Sequence, residues 1–210
     1  MPAPAPAGPR SALHRFQRAR RLVLGGLILF LFAIFLFVRS ALPEAAHEAV
    51  EAIGLGLIVV GIGGRLWSTL YVGGRKAAEI VTAGPYSVTR NPLYLFSTVA
   101  SVGIGAQMGS VSTAFLFGAL CALAFHIVIL REERFLAETF GRPYRAYLDR
   151  VPRFWPRFRL YRDEDTVSFR PDRLRRTLID GLVFFLAFPA FEMIEVWQDG
   201  GVLPVLFRVP

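Results

Sequence analysis

The residues best suited to chemistry lie in two stretches that flank a pair of long apolar segments. The first stretch, residues 84–94, reads Gly-Pro-Tyr-Ser-Val-Thr-Arg-Asn-Pro-Leu-Tyr. Pro92 suits the first turn of a helix, where an amide has no intrahelical partner, and Asn91 before it is a good N-cap. Free helix amides with Arg90 beside them favour a carboxylate or phosphate ligand. A membrane-entry cap among interfacial aromatic residues is the alternative interpretation.

The second stretch, residues 131–156, opens with a pair of carboxylates and continues through aromatic and basic residues. Helical periodicity places Glu133 on the side that faces the first stretch and turns Glu132 about 100° away. We therefore expect Asn91, Tyr94 and Glu133 to converge where the helices meet the cytoplasm. A carboxylate at such a depth needs a cationic partner or a ligand. A surface cluster of glutamate and arginine that ends a helix is the alternative.

The elements that position these residues are predicted to be membrane helices. The chain is 54% hydrophobic, its mean hydropathy is +0.46, and apolar runs of about 17–20 residues recur along it. This pattern predicts an all-α, polytopic membrane protein with about five transmembrane helices. The expected spans are residues 22–38, 49–71, 93–109 and 111–130. Residues 178–197 are apolar enough for a fifth span, but charges and a proline interrupt them, so the alternative is that they lie partly in the interface.

The third and fourth spans are joined only by Gly109 and Ser110. So short a connection predicts a tight antiparallel hairpin. Small residues recur at every fourth position on both helices, which lets their backbones approach closely in lipid. The same spacing places His126 on this packed face.

The chain divides into four predicted segments. A disordered basic tail (1–21) precedes two transmembrane helices (22–71). A core with the hairpin and both motif stretches (72–160) precedes a charged linker and a C-terminal membrane segment (161–210). Arginine-rich clusters before residue 22, around Arg75 and after residue 130 predict that the N-terminus and the motif stretches are cytoplasmic, in a bacterial inner membrane.

Charge and cysteine content restrict the classes of partner. The net charge of +8 comes from 24 basic and 16 acidic residues. The basic residues lie between the apolar spans, so anionic lipid headgroups are the expected partner and nucleic acid is not. The single cysteine, Cys121, excludes an internal disulfide. The three histidines are scattered, so no metal site is expected.

With both stretches considered together, the chain resembles the superfamily of isoprenylcysteine carboxyl methyltransferases and phospholipid methyltransferases. The resemblance rests on residues 84–94, on Glu132-Glu133, on the run from Phe140-Gly141 to Tyr147, and on Val151-Pro152 closed by Pro156. It covers roughly residues 50–160. These integral-membrane enzymes use S-adenosylmethionine, and the resemblance implies the same cofactor here.

The resemblance also implies roles for individual residues. Tyrosines would stack on the adenine or face the sulfonium, Arg90 or Arg131 would hold the cofactor's carboxylate, and Glu133 its ammonium or ribose. The implied cofactor-binding residues are Tyr86, Arg90, Asn91, Pro92, Tyr94, Glu133, Tyr144 and Tyr147. The implied catalytic residues are Glu133, Glu132 and Arg131.

The motifs leave the methyl acceptor open. Asn91 stands where the isoprenylcysteine branch has histidine and is similar to the phospholipid branch, whereas the aromatic run at 140–152 is similar to the isoprenylcysteine branch. The expected acceptor is lipophilic, either an isoprenylcysteine-like carboxylate or a related small or lipid molecule. An amine headgroup is the alternative and would need Glu132 or Glu133 as its base. A membrane scaffold or transporter subunit that retains the fold is the non-enzyme alternative.

Overall fold

The computed structural model describes residues 33–73 and 79–210. Three of its helices are long and apolar enough to cross a membrane, and a fourth apolar helix is shorter. The predicted class, an all-α polytopic membrane protein, is confirmed. The predicted tail (1–21) and most of the first predicted span (22–38) lie outside the described residues.

The elements follow one another in a simple order. They are β1 (Val38–Ser40), α1 (Glu44–Val72), α2 (Pro85–Val88), α3 (Pro92–Ala106), α4 (Val111–Phe140), α5 (Arg142–Arg150), a 3₁₀ turn (Phe158–Leu160), α6 (Pro171–Leu182), a second 3₁₀ turn (Val183–Leu186), α7 (Ala187–Asp199) and β2 (Phe207–Val209). We call the end of the bundle that carries α2, α5 and the start of α3 the motif end. The opposite end, with β1, β2 and residues 107–110, is the sheet end.

The hairpin of α3 and α4 is confirmed, with different helix ends. Helix α3 ends at Ala106, three residues before the predicted end, because Gly109 takes a left-handed conformation with φ of 58°. Helix α4 continues ten residues beyond the predicted Leu130, to Phe140. The side chain of His126, on α4, is exposed, so the prediction that this histidine packs inside the hairpin is wrong. The extension matters because it carries both candidate carboxylates past the apolar part of the helix.

Helix α1 packs closely along α3 through glycines. A Cβ built on Gly61 would lie 2.6 Å from the Cβ of Ala100 and 2.8 Å from the carbonyl oxygen of Phe96. A Cβ on Gly63 would meet no atom within 4 Å among the residues that the structure describes. The two helices therefore meet backbone to backbone on one face of α1 only.

We expect Gly61→Ala to destabilise the protein, because its methyl group would overlap backbone that cannot move without separating α1 from α3. Overpacking of this kind costs about 1–3 kcal/mol. Gly63→Ala is the matched control, since the same change on the open face should be neutral or mildly stabilising through helix propensity. Thermal unfolding in detergent measures both. Equal midpoints for the two variants would contradict the packing described here.

The fifth predicted span is a helical stretch of 29 residues, Pro171–Asp199. Its helix α6 begins seven residues before the predicted start, and a 3₁₀ turn over Val183–Leu186 separates it from α7. Pro189 explains this turn, because it supplies no amide for the carbonyl four residues earlier, at Phe185. The proline that was predicted to interrupt this span therefore tightens one helical turn, and the helical stretch continues through it.

The sheet end is closed by a parallel pair of short strands. Val38 of β1 pairs with Phe207 of β2, and Ser40 pairs with Val209. The hydroxyl of Ser110 donates to the carbonyl of Pro210 at 2.6 Å, and that of Ser40 donates to the carbonyl of Gly109 at 2.7 Å. The segments around residues 40, 110 and 210 are therefore held together at this end.

Candidate active site

The first motif stretch is fixed by backbone contacts with the segment 152–162. Gly84 has φ of 54° and packs so closely on the ring of Tyr71 that a Cβ would lie 2.4 Å from it. Its amide donates to the carbonyl of Arg162 at 2.7 Å. The amide of Arg90 donates to the carbonyl of Pro152 at 2.9 Å. These bonds hold the two motif stretches side by side, although they are far apart in sequence.

A cavity of about 460 Å³ opens between these stretches at the motif end. Its volume lies within the range of cofactor and small-molecule sites, about 300–1,000 Å³. It is lined by residues of both motif stretches and of α6. They include Tyr86, Arg90, Asn91, Tyr94, Glu132, Glu133, Leu136, Phe140, Tyr144, Tyr147, Arg170, Arg173, Arg176 and Asp180.

Glu133 is buried in this cavity wall, with 6% of its surface exposed. Nη2 of Arg153 lies 2.9 Å from its Oε2, and Nε of Arg90 lies 3.5 Å from its Oε1. Two arginines thus share one carboxylate, so the group carries a net positive charge. Such a surplus next to a cavity favours a ligand with a carboxylate or another anionic group.

Asn91 joins the same group. It lies at the N-cap position of α3, but its side chain points across the hairpin instead of capping the helix. Its Nδ2 donates to the carbonyl of Arg153 at 3.0 Å and more weakly to Oε1 of Glu133 at 3.4 Å. The predicted position of Asn91 is confirmed, the predicted capping bond is wrong, and the predicted approach to Glu133 is observed.

Asn91→Ala is therefore expected to lower stability by leaving the Arg153 carbonyl without this donor, at about 1–3 kcal/mol. Asn91→His keeps a ring N–H donor and should lose less. The expected order for thermal midpoint and for binding of S-adenosylhomocysteine is wild type, then histidine, then alanine. If the alanine and histidine variants both had the thermal midpoint and the affinity of the wild type, the side-chain hydrogen bonds of Asn91 would contribute to neither.

Tyr94 lines the same cavity as Asn91 and Glu133, as predicted, but its hydrogen bond is to the neighbouring carboxylate. Its hydroxyl donates to Oε2 of Glu132 at 2.9 Å, and its ring lies 4.8 Å from that of Phe125, measured between centroids. The prediction that Glu132 is turned away from the site is wrong, because Glu132 also lines the cavity. Both carboxylates of the pair therefore face the cavity, in different surroundings.

Three further tyrosines line the same cavity. Tyr144 and Tyr147 are buried with ring centroids 5.8 Å apart, and the hydroxyl of Tyr147 donates to the carbonyl of Tyr86 at 2.8 Å. Burial raises the pKa of Tyr144 to about 12 and also raises the pKa values of Tyr86 and Tyr147. All three phenols are neutral at physiological pH, so they offer aromatic faces and hydroxyl groups without charge.

Two residues of the predicted site lie elsewhere. Arg131 is exposed on α4, and Pro92 is buried in the first turn of α3, where it shapes the helix start. In contrast, Arg153 and three arginines at the start of α6 belong to the site and were not predicted. Arg170 is the N-cap of α6, and Arg173 and Arg176 lie within the helix, so the three recur every three residues on one side of it.

Comparison with known proteins finds one family model and two relatives that match this chain. A model of the phospholipid methyltransferase family matches residues 50–143. The cobalt-zinc-cadmium resistance protein CzcN of Cupriavidus metallidurans is 34% identical over 201 residues, which are 94% of this chain and 92% of that protein. The nickel-cobalt-cadmium resistance protein NccN of Alcaligenes xylosoxydans xylosoxydans is 34% identical over 167 residues, 80% of this chain and 76% of that protein. No solved structure matches.

The family match spans the hairpin and both carboxylates of the cavity, and the similarity to CzcN extends over nearly the whole chain. The chain therefore belongs to the phospholipid methyltransferase family of membrane proteins, within the superfamily that its motifs resemble.

Proposed function

We propose that this protein transfers a methyl group from S-adenosylmethionine to a lipophilic acceptor at the motif end. The observation that carries the proposal is the cavity of about 460 Å³ that gathers tyrosines, arginines and two carboxylates within the family-matched region. Methyl transfer is an in-line displacement, so the protein's main tasks are to position two partners and to balance charge.

The residues of the cavity suit this cofactor. Arg90 lines the cavity, and its Nε is buried 3.5 Å from Oε1 of Glu133, too far for a hydrogen bond. The guanidinium group of Arg90 would hold the cofactor's carboxylate. The neutral tyrosine faces can stack on adenine or lie against the sulfonium, at about 0.5–2 kcal/mol per contact. The cofactor supplies an activated methyl group, and the chain supplies orientation.

The two carboxylates have different proposed roles. Glu133 is already paired with Arg90 and Arg153, so we assign it a positioning role, in which it holds both arginines toward the cofactor. Glu132, bonded to the hydroxyl of Tyr94, is the better candidate to touch the acceptor. If the acceptor is an amine, Glu132 would remove its proton as general base.

The arginines at the start of α6 support an acceptor that also carries an anionic group. Arg170, Arg173 and Arg176 form part of the cavity wall, and Asp172 pairs with the first two of them. A carboxylate or phosphate on a lipophilic molecule would pair with such guanidinium groups. An isoprenylcysteine-like carboxylate fits this wall. A phospholipid amine headgroup fits both this wall, through its phosphate, and Glu132, through its amine.

A direct assay tests the proposal. Purified protein in lipid is incubated with S-adenosylmethionine labelled on its methyl group, and organic extracts are separated and counted. Label in a lipid fraction supports the proposal, and the chemical class of the product identifies the acceptor. Absence of label over a range of lipid extracts, from protein that unfolds cooperatively, would favour the scaffold or transporter alternative.

We also propose that the motif end faces the cytoplasm, where the soluble cofactor is available. Cysteines placed at Glu44 and at Arg145, in a Cys121→Ser background, report on the two ends because both positions are exposed. In intact cells, a membrane-impermeant maleimide should label Glu44→Cys. It should label Arg145→Cys only after permeabilisation. The opposite pattern would reverse the orientation.

The names of the relatives support a role in heavy-metal resistance. We propose that the methyl transfer belongs to a cell's response to divalent metals such as cobalt, zinc, cadmium and nickel. Expression of the wild type in a sensitive host should raise the metal concentration that stops growth. The Glu133→Gln variant should give no such protection. Equal protection by both proteins would show that resistance does not depend on the cavity.

A further inference from the structure

Three side chains that commonly bind metals meet at the sheet end, away from the cavity. His47 and Glu51 are one helical turn apart on α1, and Glu195 approaches them from α7. Nε2 of His47 lies 3.2 Å from Oε1 of Glu51 and 3.3 Å from Oε1 of Glu195. One ligand atom from each residue lies within 4.8 Å of the other two.

These separations suit a shared cation. In a tetrahedral site with metal–ligand bonds of 2.0–2.2 Å, neighbouring ligand atoms lie about 3.4 Å apart. The two distances from the imidazole nitrogen are close to that value. A single N–H can make only one well-directed hydrogen bond, whereas it faces two carboxylates here. A metal ion bound to Nε2 would satisfy both at once.

The backbone fixes the orientation of the histidine ring. Gly109 has φ of 58°, and a Cβ built on it would lie 2.0 Å from Nδ1 of His47. The ring therefore lies directly against the turn of the hairpin, in a space that only glycine leaves open. Its Nδ1 edge is held by this contact, and its Nε2 is presented to the two glutamates. A ligand held this way loses little freedom when a metal binds.

The charge and the solvent exposure of these three side chains also suit the binding of a metal ion. The side chains of His47, Glu51 and Glu195 are 16%, 14% and 26% exposed, so an ion can reach them although they are largely shielded from water. With a neutral imidazole the group carries two negative charges. The neighbouring cation, Arg39, is bound to Asp199. A divalent cation would neutralise the group.

We propose that His47, Glu51 and Glu195 bind a divalent transition-metal ion at the sheet end, with a remaining coordination position open to water. One imidazole with two carboxylates favours ions of the zinc, cobalt and nickel type over magnesium or calcium, which prefer oxygen ligands alone. The proposal rests on this geometry and does not depend on methyl transfer, which we assign to the other end of the bundle.

Zinc binding to the purified full-length protein tests the site. The protein carries an affinity tag without histidines, is stripped with a chelator, and is titrated with Zn²⁺ by calorimetry. We expect one saturable site per chain. Cobalt should produce a visible absorption band that Zn²⁺ removes. Glu51→Gln and Glu195→Gln keep the side-chain shape and should each weaken binding at least about tenfold, because changing a residue that only orients a ligand already costs about 10–100-fold in metal affinity.

His126→Gln is the matched control, because His126 is an exposed histidine outside the group, and its affinity for Zn²⁺ should equal that of the wild type. Thermal unfolding without metal identifies any variant that fails to fold. In the folded variants, Zn²⁺ should raise the unfolding midpoint of the wild type and of His126→Gln only. Lack of saturable binding by the wild type, or unchanged binding by both glutamine variants, would overturn the proposal. Neither result would bear on cofactor binding.

Discussion

Glu133→Gln is expected to cause the largest combined loss of stability and cofactor binding. The substitution removes the negative charge that Arg90 and Arg153 share, and it leaves two guanidinium groups together in the cavity wall. Breaking a buried ion pair by removing one partner costs about 3–5 kcal/mol. Because the side chain of Arg153 is 40% exposed, we expect the lower end of that range.

Affinity for S-adenosylhomocysteine should fall at least about tenfold in the same variant, because Arg90 and Arg153 would no longer be held toward the cofactor. A hydrogen bond from a charged group contributes about 1.5–3 kcal/mol. Calorimetric titration below the unfolding temperature separates this effect from stability. Glu138→Gln is the matched control, because Glu138 is exposed on the same helix and should have no effect. Glu133→Asp should recover part of the affinity. A stable Glu133→Gln protein with wild-type affinity would remove Glu133 from the site.

The largest effect on rate is expected at Glu132 when the labelled product is a methylated amine. Glu132→Gln keeps the shape of the side chain but cannot accept the proton that an ammonium acceptor must lose. Loss of a general base slows reactions by about 10²–10⁴-fold. The affinity for S-adenosylhomocysteine should change little, because Glu133 and its arginines remain. The rate is measured with saturating cofactor and acceptor.

Tyr94→Phe distinguishes proton removal from positioning, because it keeps the carboxylate and removes only the bond to Oε2 of Glu132. Its effect should be much smaller than that of Glu132→Gln. A methylated amine formed at the wild-type rate by Glu132→Gln would exclude Glu132 as the base. A methyl ester product predicts the opposite pattern, since a carboxylate acceptor needs no base and both variants should retain most of the rate.

Local patterns predicted the parts of the molecule that depend on neighbours in sequence. Apolar runs and the short Gly109–Ser110 connection predicted the hairpin, and periodicity predicted that Glu133 faces Asn91. The same periodicity turned Glu132 away from the site, although Glu132 lines the cavity, because it considered the direction of one helix and not the reach of Tyr94 from the other. A side chain of the facing helix can reach a carboxylate that points about 100° away from it. Helical phase alone therefore does not decide which of two adjacent carboxylates enters a site.

Contacts between distant segments could not be predicted. Arg153 reaches Glu133 only because the segment after α5 folds back on residues 84–94 through backbone bonds that leave no sequence signal. The group of His47, Glu51 and Glu195 joins α1 to α7 across most of the chain. In sequence it is visible only as a histidine and a glutamate four residues apart.

The parallel pairing of β1 and β2 has a consequence for the order in which the protein assembles. Helices α1, α3 and α4 contact partners near them in sequence and can pack while the chain is still being synthesised. The sheet can form only after residues 207–209 have emerged, because its other strand is at residues 38–40. The bond from Ser110 to Pro210 has the same requirement. Closure of the sheet end is therefore a late folding event, which follows insertion and packing of the earlier helices.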